Sequence, residues 1–237
     1  MEEAMRLVST LAFTVLVVGC VDKGDEGFFI LNNTAAPAGT VCTFTGDAAQ
    51  PFIAAGSIAY SAPEGYVFTP LLESRITAVM GQEATRTIHL EGANVTLQVA
   101  NGGMKQSFTA LFSGSLAPNG GTTNVSFEVL PKTSITALGN ATQNTEIVAT
   151  VTPYGTLGGG RIEGEPFQYP ITIVANGNGV INMLGSCASM PPISASHTGN
   201  ACNPYQDGQV DCCSCTNPMS MQTTTVCPAT PDFTNCM

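Results

Sequence analysis

The sequence contains no tryptophan, two histidines and only seven lysine and arginine residues in 237 positions. Phosphate binding needs clustered cations, and seven scattered ones against seventeen aspartates and glutamates, for a net charge of -10, exclude a nucleic-acid surface. Charged residues make up 10% of the chain and hydrophobic ones 43%, so intrinsic disorder is excluded too. Long apolar runs are missing: the longest N-terminal one, Leu7 to Val18, covers twelve positions and contains Ser9 and Thr14. A spanning helix needs about 20. None of Lys23, Lys105 and Lys132 stands in a P-loop or an S-x-x-K arrangement. H-E-x-x-H, C-x-x-C-H and G-x-S-x-G are absent as well.

What the chain does have is nine cysteines and a distinctive start. MEEAMRLVSTLAFTVLVVGC places Arg6 directly before an apolar run that ends in Gly19 and Cys20, the anatomy of a signal peptide, although Glu2 and Glu3 are unusual in its first region. Translation from Met5 would place Arg6 directly before the apolar run, so Met1 and Met5 are both candidate starts. Val17-Val18-Gly19-Cys20 resembles the lipobox of bacterial lipoproteins. The resemblance implies cleavage between Gly19 and Cys20, a diacylglyceryl group on the Cys20 thiol and acylation of the new amine. Val21 after Cys20 leans toward the outer membrane under the sorting rule of that family. The texture of the remaining chain is similar to that of uncharacterised Gram-negative envelope lipoproteins, a likeness that names no activity.

With Cys20 assigned to lipid, eight cysteines remain: Cys42, Cys187, Cys202, Cys212, Cys213, Cys215, Cys227 and Cys236. An exported chain meets an oxidising compartment, where up to four disulfides are expected. Their connectivity stays open, although adjacent Cys212 and Cys213 are poorly placed to bridge each other. Cys42 must reach forward into the tail if all eight pair within one chain. The competing reading is a metal or redox site at Cys212, Cys213, Cys215 and His197, or copper(I) at Met219 and Met221. It lacks a second C-x-x-C and a thioredoxin-like context, and such methionines more often fill small irregular cores.

Residues 20–27 form a short polar tether. From Phe28 the chain carries brief period-2 runs at Thr87–Leu90, Asn94–Val99, Phe108–Phe112, Asn124–Val129, Ile147–Val151 and Ile171–Val174. Turn chemistry separates them at Asn101-Gly102-Gly103, Pro118 to Gly121, Pro153-Tyr154-Gly155 and Gly158 to Gly160. No window after residue 20 has a capped helical period. Tyr66 to Met80 is the nearest, and Pro70 makes a strand pair equally suitable there. The expected fold is all-β: an antiparallel β-sandwich, Ig-like or similar, over 28–185, followed by a disulfide-rich, loop-dominated tail over 186–237 and preceded by a signal peptide over 1–19.

Chemistry is sparse. His89 sits between Ile88 and Leu90 and faces away from them, as a surface residue does. Glu163 with Glu165, and Glu83 with Glu91, are the carboxylate pairs a hydrolase would need. A Ser-His-Asp set through His197 is arithmetically open, without an elbow motif to support it. Asp207-Gly208-Gln209-Val210-Asp211 offers oxygens for calcium but reads better as a solvated turn. The expectation is a lipid-anchored envelope module of structural or protein-binding role rather than an enzyme. It needs no cofactor beyond lipid on Cys20, and its partners are the membrane and another envelope protein. A carboxylate-based extracytoplasmic hydrolase and a Cys/Met/His metal-binding protein are the alternatives.

Overall fold

The computed structural model describes residues 27–36, 41–175, 179–187, 195–217 and 219–229. In chain order the strands are β1 (Phe28–Thr34), β2 (Phe52–Ile53), β3 (Gly56–Ala59), β4 (Tyr66–Phe68), β5 (Pro70–Ser74), β6 (Ile88–Val99), β7 (Lys105–Leu116), β8 (Thr122–Asn124) and β9 (Phe127–Leu130). A short helix α1 (Lys132–Leu138) follows, then β10 (Thr145–Leu157), β11 (Gly160–Glu163), β12 (Phe167–Val174), β13 (Ile181–Ser186), β14 (Val210–Thr216) and β15 (Thr223–Val226).

These strands form an all-β, sandwich-like fold. One sheet has the order β3-β12-β10-β6-β7, with β11 added to β10. A second has the order β2-β1-β5-β8, with the pair β4-β9 beside it in the chain. The alternation that marks the strands also aims them. Val95 and Leu97 of β6, Ile147, Ala149 and Val151 of β10, and Tyr169, Ile171 and Ile173 of β12 are all buried. They share one core with Phe28 and Ile30 of β1, Leu72 of β5, Phe68 of β4 and Val129 of β9. Each buried Val, Leu, Ile or Phe among them contributes roughly 1.5–3 kcal/mol. Phe68 packs on Tyr169 with ring centroids 5.0 Å apart and edge-on to Phe127 at 5.7 Å, and Phe127 stacks on Phe112 at 4.9 Å. These contacts stitch the two sides together.

Several elements differ from the sequence reading. The runs at Thr87–Leu90 and Asn94–Val99 are one strand, β6, with a register shift between Leu90 and Gly92. Asn124–Val129 instead divides between β8 and β9. Tyr66 to Ser74 supplies the strands β4 and β5, broken at Thr69. Helix α1 has seven residues, too few to display a period. It buries Ser134, Ile135 and Leu138.

Pro153-Tyr154-Gly155 is not a turn but lies within β10. Pairing of β10 with β12 ends at Val151 and pairing with β11 begins at Tyr154, so Pro153 falls in the gap where its missing N–H costs nothing. At Gly155 a Cβ would run into the carbonyl oxygen of His89 on β6. Gly155→Ala is therefore expected to lower stability by about 1–3 kcal/mol, the usual range for overpacking. A urea midpoint equal to that of the wild type would refute this close approach.

The tail is more ordered than a set of loops, because β13, β14 and β15 form a three-stranded sheet. β13 pairs in parallel with β14, so this sheet draws strands from both sides of the Cys-rich boundary. Among the described residues, no helix is long and apolar enough to cross a membrane.

Candidate functional site

Cys42 bonds to Cys202, Cys187 to Cys213, and Cys212 to Cys227. Cys215 is disulfide-bonded as well. Neighbouring Cys212 and Cys213 point to opposite faces of β14 and take different partners, as strand alternation requires. These bonds place the folded chain in an oxidising, extracytoplasmic compartment. They also remove the thiolates that a metal or redox site would need. Gly19, Cys20 and Cys236 lie outside the described residues.

The Cys42–Cys202 bond delivers a strap, residues 202–207, against two open edges, β3 of the six-stranded sheet and β4 of the β4-β9 pair. The strap backbone pairs with β3: the Ala59 amide donates to the Tyr205 carbonyl at 3.1 Å and the Asp207 amide to the Ser57 carbonyl at 2.9 Å. Gln206 uses its side chain as a second backbone. Its Oε1 accepts from the Val67 amide at 2.8 Å and its Nε2 donates to the Val67 carbonyl at 2.9 Å, satisfying β4. Buried Asn203 donates to the Gly65 carbonyl at 2.7 Å. Edge strands with unpaired backbone groups invite association with other chains. Here one polar segment closes two of them.

Asp207 anchors the strap inside the sandwich. Tyr66 donates its hydroxyl to Asp207 Oδ2 at 2.6 Å, and the Ser57 amide donates to Oδ1 at 2.9 Å. The Tyr66 and Tyr169 hydroxyls are 2.9 Å apart, and Asn33 donates to Tyr169 at 2.8 Å. Asn33 Oδ1 in turn accepts from the Thr69 amide at 2.9 Å. One hydrogen-bonded chain thus links β1, β4, β12 and the strap. Burial pushes the Asp207 carboxyl up to about 6, and its bonds from Tyr66, Ser57 and Gln206 hold it from rising further. Burial also pushes Tyr169 up to about 12, and it raises Tyr66, with the nearby Asp207 charge adding to the effect.

The Asp207–Asp211 segment is accordingly not a solvated turn. Asp211 lies on β14 with its side chain 1% exposed. Asn182 Nδ2 donates to it at 2.7 Å, as do the Ser196 and His197 amides at 2.7 and 2.9 Å and the Ser196 hydroxyl at 2.8 Å. Those donors, Asn182 foremost, hold its carboxyl well below the ordinary carboxylate range. The two aspartates serve separate networks, which a shared calcium ion would not allow.

Ser196, His197 and Asp211 do come together, but not as a catalytic triad. Ser196 Oγ and Asp211 Oδ2 approach the same ring nitrogen, Nδ1, at 3.1 and 3.3 Å. A triad needs the serine on the opposite nitrogen from the aspartate. A depression of about 530 Å³ lies beside this cluster, with His197, Asn200, Gln209 and Asp207 among its lining residues.

The other candidates are dispersed. His89 is exposed on β6. Glu163 pairs with Arg161 at 3.0 Å and Glu165 with Arg75 at 2.9 Å, each on the surface. Glu83 and Glu91 are exposed and make no ion pair among the described residues. Met219 and Met221 are 94% and 76% exposed, so they fill no core. No cluster of three or more His, Cys, Asp or Glu side chains suited to a metal occurs among the described residues. The strap was invisible in the sequence. Its only local signal is Cys202, because Gln206 and Asp207 find partners more than 130 positions away.

No family model, no curated protein and no solved structure matches this chain. Fold and site together define an exported, disulfide-locked β-sandwich whose C-terminal strap is part of its body.

Proposed function

We propose that this protein is a lipid-anchored module of the bacterial cell envelope, held at the outer membrane by acylated Cys20, with a structural or protein-binding role. The observation that carries this reading is the apolar run ending in Val17-Val18-Gly19-Cys20. The disulfides support export. Two or more acyl chains, at about 0.8 kcal/mol per buried methylene, make a lasting anchor.

The β7 edge of the six-stranded sheet favours binding to another protein. The strap covers β3, whereas among the described residues β7, twelve residues long, pairs with β6 alone. Its outer edge has no backbone ladder among the described residues, and Leu111 on it is 77% exposed. Such an edge accepts a strand from a partner.

Protein extracted from membranes should begin at Cys20 and carry added acyl mass. Cys20→Ser should move it from the detergent phase to the aqueous phase. Intact mass spectrometry reads the first and phase partitioning the second, and an N-terminus that retains Met1 or Met5 overturns the proposal.

A further inference from the structure

At one end of the six-stranded sheet, the β6–β7 turn, the loop from α1 to β10 and the first residues of β10 enclose a depression of about 390 Å³. Pockets of a few hundred Å³ are the size that takes a small ligand. The lining carries four primary amides, Asn101, Asn140, Gln143 and Asn144, with Glu146 and Thr172 beside them.

The parts are held in place. The Ala100 amide donates to the Glu146 carbonyl at 2.9 Å, fixing the turn against β10. Asn144 Oδ1 accepts from the Ala175 amide at 3.0 Å, and Asn140 Oδ1 accepts from the Thr142 amide and hydroxyl, each at 2.8 Å. Both amides therefore spend their oxygen on the protein, and their NH2 groups donate no hydrogen bond among the described residues. Asn101 and Gln143 make no side-chain hydrogen bond among the described residues, and Glu146 makes no ion pair among them. The result is two oriented amides, Asn140 and Asn144, with two exposed, unfixed amides and a carboxylate acceptor beside them.

We propose that this depression binds the hydroxyls of an uncharged sugar, such as the terminal residue of a neutral glycan. Adjacent sugar hydroxyls each donate and accept, and a primary amide next to a carboxylate offers both complements. An anionic ligand is disfavoured, because the lining has no cation and one carboxylate. Farther along the same sheet face, beyond a row of Pro170, Val148, Gln98 and Lys105, a second polar row follows. Gln168, Thr150, Thr96 and Ser107 stand in one cross-strand row over β12, β10, β6 and β7, with Thr96 and Ser107 hydroxyls 2.9 Å apart. Without an aromatic ring to stack on, affinity rests on hydrogen bonds and falls in the millimolar range.

This site deepens the binding-module reading and names a ligand for it. The test is saturation-transfer NMR on the detergent-extracted full chain with glucose, mannose, galactose and N-acetylglucosamine in turn. At least one sugar should receive saturation. Glu146→Ala combined with Gln143→Ala, both at exposed positions, should weaken it about tenfold or more, the loss of one to two hydrogen bonds. Glu163→Ala, paired to Arg161 on β11, should leave it unchanged. No transfer to any of the four, or transfer undiminished in the double variant, overturns the proposal. Either result is independent of the lipid anchor, which the mass of the N-terminal peptide decides.

Discussion

Replacing Cys42 and Cys202 together with serine is expected to lower the free energy of unfolding by about 2–5 kcal/mol, the largest loss available from any single bond in this fold. The two cysteines are 160 positions apart, and closing a loop of that length has an entropic ceiling of about 5 kcal/mol. The effect should not stop at the denatured state. Strap residues Gln206 and Asp207 follow Cys202 closely, so their bonds to Val67, Ser57 and Tyr66 lose their tether. Amide exchange at Val67 and Ser57 should accelerate beyond that of the central strand β10. Urea denaturation of the variant measures the first effect and hydrogen exchange the second. A loss under about 1 kcal/mol would mean that hydrogen bonds alone hold the strap.

The second large effect concerns pH. The folded Asp207 carboxyl titrates at about 6 against an ordinary 3.8, so the native state holds a proton that the unfolded chain has released. Its contribution is therefore greatest below 3.8 and is lost as pH rises through about 6. At 1.36 kcal/mol per unit, the loss by neutral pH amounts to at most about 3 kcal/mol. The charged and titratable groups in this network are Tyr66 and Tyr169, both raised and neutral throughout that range. Asp207→Asn keeps an oxygen acceptor for the Ser57 amide and turns its NH2 toward the Tyr66 hydroxyl, which accepts from it as it would from a protonated carboxyl. It also suits the backbone φ of 53° found at this position.

The variant and the wild type should be about equally stable near pH 4. By pH 7.5 the variant should be the more stable, by up to about 3 kcal/mol. Asp211 works in the opposite direction, being depressed and losing its contribution as pH falls below the ordinary carboxylate range, and it is common to both proteins. Unfolding free energies measured across that interval decide the matter, and two parallel curves would show that Asp207 is not the group responsible.

The strands were largely legible because a sheet covered on one face imposes period 2 on its sequence. β6, β10 and β12 each bury alternate residues along their central stretches, and β7 alternates exposed with half-buried ones. The glycine turns at Gly102, Gly120 and Gly158-Gly159 were legible for a different reason, since all four carry positive φ. Pro153-Tyr154-Gly155 misled because its composition is that of a turn, while its role depends on which neighbours β10 exchanges there. Helix α1 was hidden by its length.

The strap was hidden by the chemistry of its burial. Asn203, Gln206 and Asp207 are polar and adjacent to a cysteine, which locally means loop. Only partners on Gly65, Val67 and Tyr66 turn them into interior residues. The same non-locality explains why His197 and Asp211, fourteen positions apart, look like separate features in the sequence although they share one network.

The bond between Cys42 and Cys202 has a further consequence for a protein that meets proteases outside the cytoplasm. Most of the sandwich lies between those two residues, so its main chain is a covalent ring. A protease that cuts an exposed turn such as Asn101-Gly102-Gly103 breaks one peptide link and releases no fragment. The piece carrying the N-terminus stays bonded to the piece carrying the tail, and whatever holds the first to a surface keeps the second there too.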